Sequence, residues 1–168
     1  MKKVLLWGSL AILLVILALG LNRAQQGQVG IGEQAPDFTL TSFDGEEYHL
    51  ASLQGKVVVI NFWSSWCVSC KPEAVDLENA WQHYQGEVIF LGVDYVDTEP
   101  EAKAYLEESG ITYPNGPDKR TSISQDYRIQ GVPETFIIDK SGKIAHVQIG
   151  PFRSLSEIIF IIDSLLNE

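Results

Sequence analysis

A chain of 168 residues with 45% hydrophobic side chains is long enough for one folded domain with its own core and a small additional segment. Its formal net charge of −10 disfavours nucleic acid as a partner, because phosphate binding needs clustered lysine and arginine. Two cysteines are too few for a framework of several stabilising disulfides.

The N-terminal segment, residues 1–23, predicts a membrane anchor. Residues 4–21 carry no charge, and as a helix they would span about 27 Å, close to the ~30 Å hydrocarbon core of a bilayer. Lys2 and Lys3 favour a cytoplasmic N-terminus, which places the rest of the chain outside the cytoplasm. A cleaved signal peptide is the alternative, since Ala-Leu-Gly at 18–20 resembles a cleavage site. Either reading exports the domain to a compartment where disulfides persist.

The folded domain is expected over residues 33–168, after a flexible linker at 24–32 that is rich in Gln and Gly. It opens with a predicted hairpin, an N-terminal extension of the main fold. Residues 38–40 and 48–50 are its short strands, and Asp-Gly at 44–45 is the turn signal between them.

The two cysteines lie where a predicted strand meets a predicted helix. Residues 57–63 are almost wholly apolar and β-branched or aromatic, which predicts a strand buried on both faces in the middle of a sheet. A helix is expected from about Cys67 to Tyr84, because apolar residues recur at i, i+3, i+4 and i+7 from Leu77.

The remaining segments alternate between strands and helices. We expect strands over 88–93, 135–138 and 143–149, helices over 99–109 and 121–127, a loop over 112–120, and a last helix from the Ser154 cap to Leu166. The order β-α-β-α-β-β-α requires a crossover-linked parallel pair of strands with an antiparallel hairpin at the end. The fold class is therefore α/β, with helices on both faces of the sheet.

The spacing of Cys67 and Cys70 predicts redox chemistry. Unpaired N–H groups at the start of a helix favour a thiolate, and a thiolate that its neighbour can resolve moves electron pairs between disulfides. A purely structural disulfide would close too short a loop to constrain the unfolded chain, and a zinc site usually needs four ligands. Haem attachment needs His at position 71, where this chain has Lys. We expect no cofactor and no metal.

The element order, with Trp-Cys-x-x-Cys at the first strand-to-helix turn, resembles the thioredoxin fold. It is most similar to the membrane-anchored thiol-disulfide oxidoreductases of cytochrome c maturation, the ResA, CcmG (DsbE) and TlpA family. The resemblance covers residues 33–168 and rests on Ala-Pro-Asp-Phe at 35–38, Ile-Asn-Phe-Trp-Ser-Ser-Trp-Cys at 60–67, Cys-Lys-Pro-Glu at 70–73 and Pro-Glu-Thr-Phe-Ile-Ile-Asp at 133–139. It implies a mixed central sheet with helices on both faces, preceded by a single transmembrane helix.

The resemblance also implies the reaction, which is reduction of the disulfide in apocytochrome c or a similar substrate outside the cytoplasm. Electrons would come from a membrane thiol carrier of the CcdA/DsbD type, and the protein is expected to act as a monomer. Cys67 is expected to be the exposed nucleophile that forms a mixed disulfide, and Cys70 the more buried residue that resolves it.

Three residues are expected to contact the substrate on the strength of the same resemblance. Pro133 should follow a cis peptide bond and face the active-site sulfurs, where Trp66 also shapes the contact surface. The backbone of Val132 would then be free to pair with an extended substrate strand.

Two acidic residues and one amide complete the predicted site. Glu73 matches the family's glutamate and lies on the same side of the helix as Cys70. The alternatives are a solvated helix charge or an acid that complements the helix dipole in the first turn. Glu134 is expected either in an acidic rim for a basic partner or as an exposed acid at a strand end. Asn61 stands where general thioredoxins carry a buried Asp. Asp94 and Asp97 lie just after a strand and receive no role.

Other functions remain open at this point. The dipeptide Val68-Ser69 lacks the proline of many relatives, which leaves the redox potential undetermined, and an oxidant or isomerase of secreted proteins would share the same fold and thiols. A thiol peroxidase is a weaker alternative. Peroxiredoxins need Pro seven residues and Thr three residues before their cysteine, where this chain has Ile60 and Ser64. An anchored binding module with incidental thiols is the non-enzymatic alternative.

Overall fold

The computed structural model describes residues 7–8, 12–15 and 29–167. Residues 7–8 and 12–15 are helical, and the rest of the predicted anchor lies outside the described residues. Within those ranges, no helix is both long and apolar enough to cross a membrane. Val29 is buried in the core, so packing already begins within the segment that the sequence predicts to be a linker.

The domain opens with the predicted hairpin, whose strands are β1 (Thr39–Thr41) and β2 (Glu47–His49). The two strands pair antiparallel, and Gly45 takes a positive φ of 88° in the turn between them. The hairpin is fixed to the domain through Phe43, whose N–H donates to the carbonyl oxygen of Asn115 at 2.7 Å. The prediction of an N-terminal hairpin extension is therefore confirmed.

A five-stranded mixed sheet forms the centre of the domain. Its strands are β3 (Val57–Trp63), β4 (Val88–Asp94), β5 (Asn115–Pro117), β6 (Glu134–Ile138) and β7 (Ile144–Ile149), in the spatial order β5-β4-β3-β6-β7. β3, β4 and β5 run parallel, while β6 is antiparallel to β3 and β7 is antiparallel to β6. The predicted parallel pair with a terminal antiparallel hairpin is confirmed.

Four α-helices cover the sheet: α1 (Cys70–Tyr84), α2 (Glu99–Ser109), α3 (Ser122–Tyr127) and α4 (Leu155–Leu166). Short 3-10 helices occupy Leu50–Leu53 and Lys119–Thr121. Apolar residues of α1 and α4 pack against one face of the sheet, and those of α3 and the hairpin pack against the other. Every residue of β3 is buried, as its composition predicts for a central strand.

Two local predictions are wrong. The first helix begins at Cys70 rather than Cys67, because two successive turns precede it. The N–H of Cys67 donates to the carbonyl oxygen of Ser64, and the N–H of Cys70 donates to that of Cys67, both at 3.2 Å. The segment 112–120 is not wholly loop, since it contains β5. Asn, Gly and Pro are poor strand formers, and only the parallel pairing with β4 makes them a strand.

Candidate active site at the start of helix α1

Cys67 and Cys70 form a disulfide, with Cα atoms 5.4 Å apart, at the point where the chain leaves β3 and enters α1. Both residues are buried, with exposed fractions of 4% for Cys67 and 2% for Cys70. The expectation of an exposed Cys67 is therefore wrong for the bridged form. The reason is local: both cysteines pack in a small core with Trp63 and α2, while the residues around them (Trp66, Val68 and Ser69) are exposed.

The helix terminus is directed at the sulfur of Cys67. The N–H of Cys70, the first residue of α1, donates to Cys67 Sγ at 3.1 Å, and Ser69 Oγ lies 3.5 Å from the same sulfur. Ser69 makes no side-chain cap to α1, which leaves the first N–H groups of the helix available. When the bridge is opened, these donors and the helix dipole stabilise negative charge on Cys67.

The turn before Cys67 is held by the loop that follows β4. The carboxylate of Asp97 accepts hydrogen bonds from Ser65 N (2.5 Å) and Ser65 Oγ (2.8 Å). Ser64 Oγ donates to the carbonyl oxygen of Tyr95 at 2.9 Å. Because the bonds come from two successive residues of the turn, the backbone that leads into Cys67 is fixed from outside α1.

Glu73 lies one turn after Cys70 on α1 and is only 1% exposed, which excludes the alternative of a solvated helix charge. Its Oε1 accepts from Asn61 Nδ2 at 3.1 Å, and its Oε2 accepts from the N–H of Phe152 at 2.9 Å. Burial raises the pKa of Glu73 to about 7, against the opposing effect of these two hydrogen bonds. Glu73 therefore changes its charge near neutral pH.

Asn61 connects this acid to the sheet. It is buried in β3, and its Nδ2 donates both to Glu73 and to Thr135 Oγ1, the latter at 2.9 Å. Thr135 lies directly opposite Asn61 in the β3–β6 ladder. The amide thus fixes the position of the carboxyl group relative to β6.

The peptide bond between Val132 and Pro133 is cis, which confirms that prediction. Pro133 is buried, and Val132 packs against the small core that contains both cysteines. Trp66 is 58% exposed at the edge of the site. The structure therefore places Val132 against the cysteine core and Trp66 on the surface beside Cys67.

Both predictions for Glu134 are wrong. Its exposed fraction is 0%, so it belongs neither to an acidic rim nor to an exposed strand end. As the first residue of β6 it pairs with Phe62 on one side and Ile149 on the other, and its Oε2 accepts from the N–H of Gln130 at 2.9 Å. Its position between two strands of the assembled sheet comes from pairing distant in the chain, which a single sequence does not show.

Asp94 is a buried acid for which the sequence suggested no role. It ends β4 opposite Trp63, is 2% exposed, and its Oδ1 receives no hydrogen bond from residues 29–167. Burial, the hydrogen-bonding partner Asp97 and the charge of Asp118 raise the pKa of Asp94 to about 8. Asp94 is therefore protonated at neutral pH, and its carboxyl group can donate a hydrogen bond to the carboxylate of Asp97. Within the described ranges, no group of three or more His, Cys, Asp or Glu side chains is placed so that it could hold a metal ion.

The sequence is similar to a known protein family and to named members of it. Residues 31–147 match the AhpC/TSA family. The thioredoxin-like protein YneN of Bacillus subtilis is 34% identical over 128 residues, which cover 73% of this chain and 75% of YneN. The thiol-disulfide oxidoreductase ResA of Geobacillus thermodenitrificans is 30% identical over 148 residues, which cover 84% of this chain and 85% of ResA.

A solved structure agrees with the sequence matches. The solution structure of a provisionally named protein disulfide isomerase from Bacteroides thetaiotaomicron superposes with a TM-score of 0.77. It shares 33% sequence identity and covers 83% of this chain and 92% of its own. The arrangement of the sheet and the helices described above is thus shared with a related protein.

Proposed function

Because this chain belongs to the AhpC/TSA family and is a thiol-disulfide oxidoreductase of the ResA type, we propose that it reduces protein disulfides outside the cytoplasm, with apocytochrome c or a similar polypeptide as substrate. The supporting observation is the Cys67–Cys70 bridge at the start of α1, where the N–H of Cys70 points at Cys67 Sγ. The similarity to proteins named thiol-disulfide oxidoreductase ResA supports the exchange chemistry.

The reaction proceeds in two exchange steps from the reduced protein. The Cys67 thiolate attacks one sulfur of the substrate disulfide, which forms a mixed disulfide and releases the other substrate sulfur as a thiolate. The Cys70 thiolate then attacks the Cys67 sulfur, which forms the bridge seen in the structure and releases the second substrate thiol. One electron pair passes to the substrate, and a membrane thiol carrier of the CcdA/DsbD type restores the protein dithiol.

Glu73 serves the second step in this scheme. Cys70 must lose its proton before it can attack, and both cysteines lie in an apolar environment. Glu73 is buried one helical turn away, and its pKa of about 7 lets it accept a proton at neutral pH and give it up again. Asn61 and the N–H of Phe152 keep the carboxyl group in place.

The substrate segment lies across Trp66 and Val132. Val132 packs against the core that contains the cysteines, so its backbone is close to the point of attack. An extended strand can pair with that backbone by β-augmentation, while the exposed indole of Trp66 covers the residue beside the substrate cysteine. Pro133 fixes the backbone between these contacts and β6.

Replacement of the resolving cysteine tests the reaction. In membranes that carry the full-length Cys70→Ala variant, the first step stops at the mixed disulfide, so the partner stays bound through Cys67. We expect a conjugate that reducing agent releases and that mass spectrometry identifies as an apocytochrome c. The matched Cys67→Ala variant should form none. Absence of a Cys67 conjugate would contradict the exchange scheme, and conjugates of unrelated secreted proteins alone would contradict the proposed substrate.

An oxidant or isomerase is the second candidate, favoured by the name of the related Bacteroides protein. Measurement of the Cys67–Cys70 reduction potential separates the two. The reductant should have a value below about −200 mV, whereas an oxidant of the DsbA kind lies near about −120 mV. Equilibration of the protein with glutathione buffers, followed by alkylation and mass measurement, gives this value.

The anchor is part of the same proposal. Residues 1–23 would hold the protein in the membrane with its N-terminus in the cytoplasm and the catalytic domain on the outer side. The full chain should therefore sediment with membranes after alkaline washing. Protease added to cells whose envelope outside the cytoplasmic membrane has been permeabilised should cleave the domain. A full chain found in the soluble cytoplasmic fraction would contradict this location.

A further inference from the structure

The loop that follows β4 presents an exposed valine in the left-handed conformation. Val96 has a φ of 60° and an exposed fraction of 59%. A β-branched side chain is a rare occupant of this region because its Cβ substituents crowd the adjacent backbone. The other non-glycine residues with positive φ in the described part of the chain are all polar: Gln85, Arg120, Thr121 and Arg128.

The backbone around Val96 is fixed from both sides. Before it, the N–H of Tyr95 donates to the carbonyl oxygen of Trp63 at 2.8 Å, and the carbonyl oxygen of Tyr95 accepts from Ser64 Oγ. After it, Asp97 holds both polar groups of Ser65. These anchors impose the conformation of Val96. Glycine or asparagine would adopt it with less strain, so stability does not account for a valine at this position.

Val96 adjoins the redox pair. The indole N–H of Trp66 points at the carbonyl oxygen of Val96, 3.5 Å away, so these two exposed residues lie next to each other. Val68, which follows Cys67 directly in the chain as Trp66 precedes it, has an exposed fraction of 83%. Both cysteines are buried, whereas Trp66, Val68 and Val96 are exposed, so we take these three apolar side chains as the rim that a disulfide meets on its way to Cys67.

We propose that Val96 is a specificity-determining residue that, together with Trp66 and Val68, receives an apolar side chain next to the cysteine of a protein substrate. The inference rests on the proposed function. A mixed disulfide fixes the substrate cysteine on Cys67, and in an extended segment the adjacent residues lie only about 3.3 Å further along per residue. Those residues must therefore lie over the rim. The substrate class is an unfolded polypeptide with an aliphatic or aromatic residue beside its disulfide cysteine.

A single-turnover experiment on the pre-reduced full chain in detergent tests this inference. The oxidants are a peptide whose Cys-x-x-Cys disulfide is flanked by Leu and Phe, the same peptide with Ser and Gln at the flanks, and bis(2-hydroxyethyl) disulfide. The variants are Val96→Asn, which suits the backbone but is polar, and Val96→Leu, which stays apolar. Gln85→Asn is the remote control, since Gln85 has a φ of 37° at the far end of α1. Quenching by alkylation, followed by mass measurement, gives each rate constant.

We expect Val96→Asn to react with the apolar peptide roughly 3- to 10-fold more slowly, as the loss of one apolar contact predicts. Val96→Leu and Gln85→Asn should react at the wild-type rate, and no variant should change the rate with bis(2-hydroxyethyl) disulfide. An unchanged rate of Val96→Asn with the apolar peptide, or an equal loss with all three oxidants, would overturn the inference. A wild-type protein that reduces none of the oxidants would instead refute the proposed function, and the inference with it.

Discussion

Asp94 and Glu73 are buried acids whose neutral forms the fold favours relative to the unfolded chain. For both, burial raises the pKa above the ordinary value, from 3.8 to about 8 for Asp94 and from 4.5 to about 7 for Glu73. The folded state therefore binds more protons than the unfolded state between these limits. The contribution of these two groups to the free energy of unfolding is fully present below the unfolded pKa values, falls as the pH rises through each interval, and is lost above the folded pKa values.

Replacement of Asp94 by Asn should remove the loss of stability that ionisation of Asp94 causes as the pH rises. The amide can donate to Asp97 in place of the carboxylic proton, and it does not ionise. We expect the Asp94→Asn variant to match the wild type near pH 4 and to be more stable at pH 8.5 by on the order of 3 kcal/mol. Urea unfolding across this pH range measures the difference. The exposed Asp126→Asn serves as a control, and a wild-type pH dependence in Asp94→Asn would contradict the raised pKa.

Replacement of Glu73 by Gln should slow the resolving step. Without a group that accepts the Cys70 proton, the mixed disulfide should persist, and its resolution should slow by about 10²-fold. The dependence of that step on pH near 7 should also disappear. Rapid quenching of the wild type, Glu73→Gln and the control Glu87→Gln, an exposed acid beyond the end of the same helix, measures the lifetime of the intermediate. Equal lifetimes in all three proteins would leave Glu73 with a structural role only.

At the scale of residues, the sequence predicts chemical type better than environment. The cysteine pair and the cis bond before Pro133 carry local motifs, and both predictions are confirmed. Glu134 and Asp94 carry no such motif. Their burial depends on pairing across β3, β4 and β6, which brings together residues distant in the chain. An acid at a strand end therefore looks exposed until the sheet is assembled.

The hairpin contacts the sheet through a glycine. Gly116 lies in β5, and a Cβ at this position would collide with the carbonyl oxygen of Thr41 in β1. Gly116→Ala should therefore push the hairpin away and lower the free energy of unfolding by about 1–3 kcal/mol. Gly131→Ala is the matched control, because a Cβ there meets nothing within 4 Å. Denaturant unfolding of both variants measures this, and equal stabilities would show that the hairpin moves without cost.

Elements with strong local signals are predicted closely. The bounds of α2 agree with the prediction because Thr98 and Glu101 form a capping box at its start and Gly110 ends it with a φ of 67°. The sequence also predicts β3, since its apolar residues fit only a strand covered on both faces. β5 and the start of α1 are not predicted. They depend on pairing with β4 and on the turn bonds of Ser64, which local preferences do not encode.

The negative charge of the chain beyond the predicted anchor favours basic substrates. Residues 24–168 contain nine basic and 22 acidic side chains, for a net charge of −13. At low ionic strength, a disulfide peptide with Lys residues far from its cysteines should be reduced about 10-fold faster than the same peptide with Glu. The two rates should converge in high salt, where charges are screened beyond a few Å. Rates that do not depend on peptide charge would show that the acidic surface lies away from the approach path.

The central position of β3 has a consequence for how the protein cycles. Its amides bond to β4 on one side and β6 on the other, and all its side chains are buried. In deuterated water, residues 57–63 should therefore exchange most slowly, through global unfolding, while the exposed residues 66, 68 and 69 exchange early. Reduction of the bridge should change only the second group. The strand that carries the cysteine turn therefore stays folded through each turnover, and electron transfer leaves its protection against hydrogen exchange unchanged.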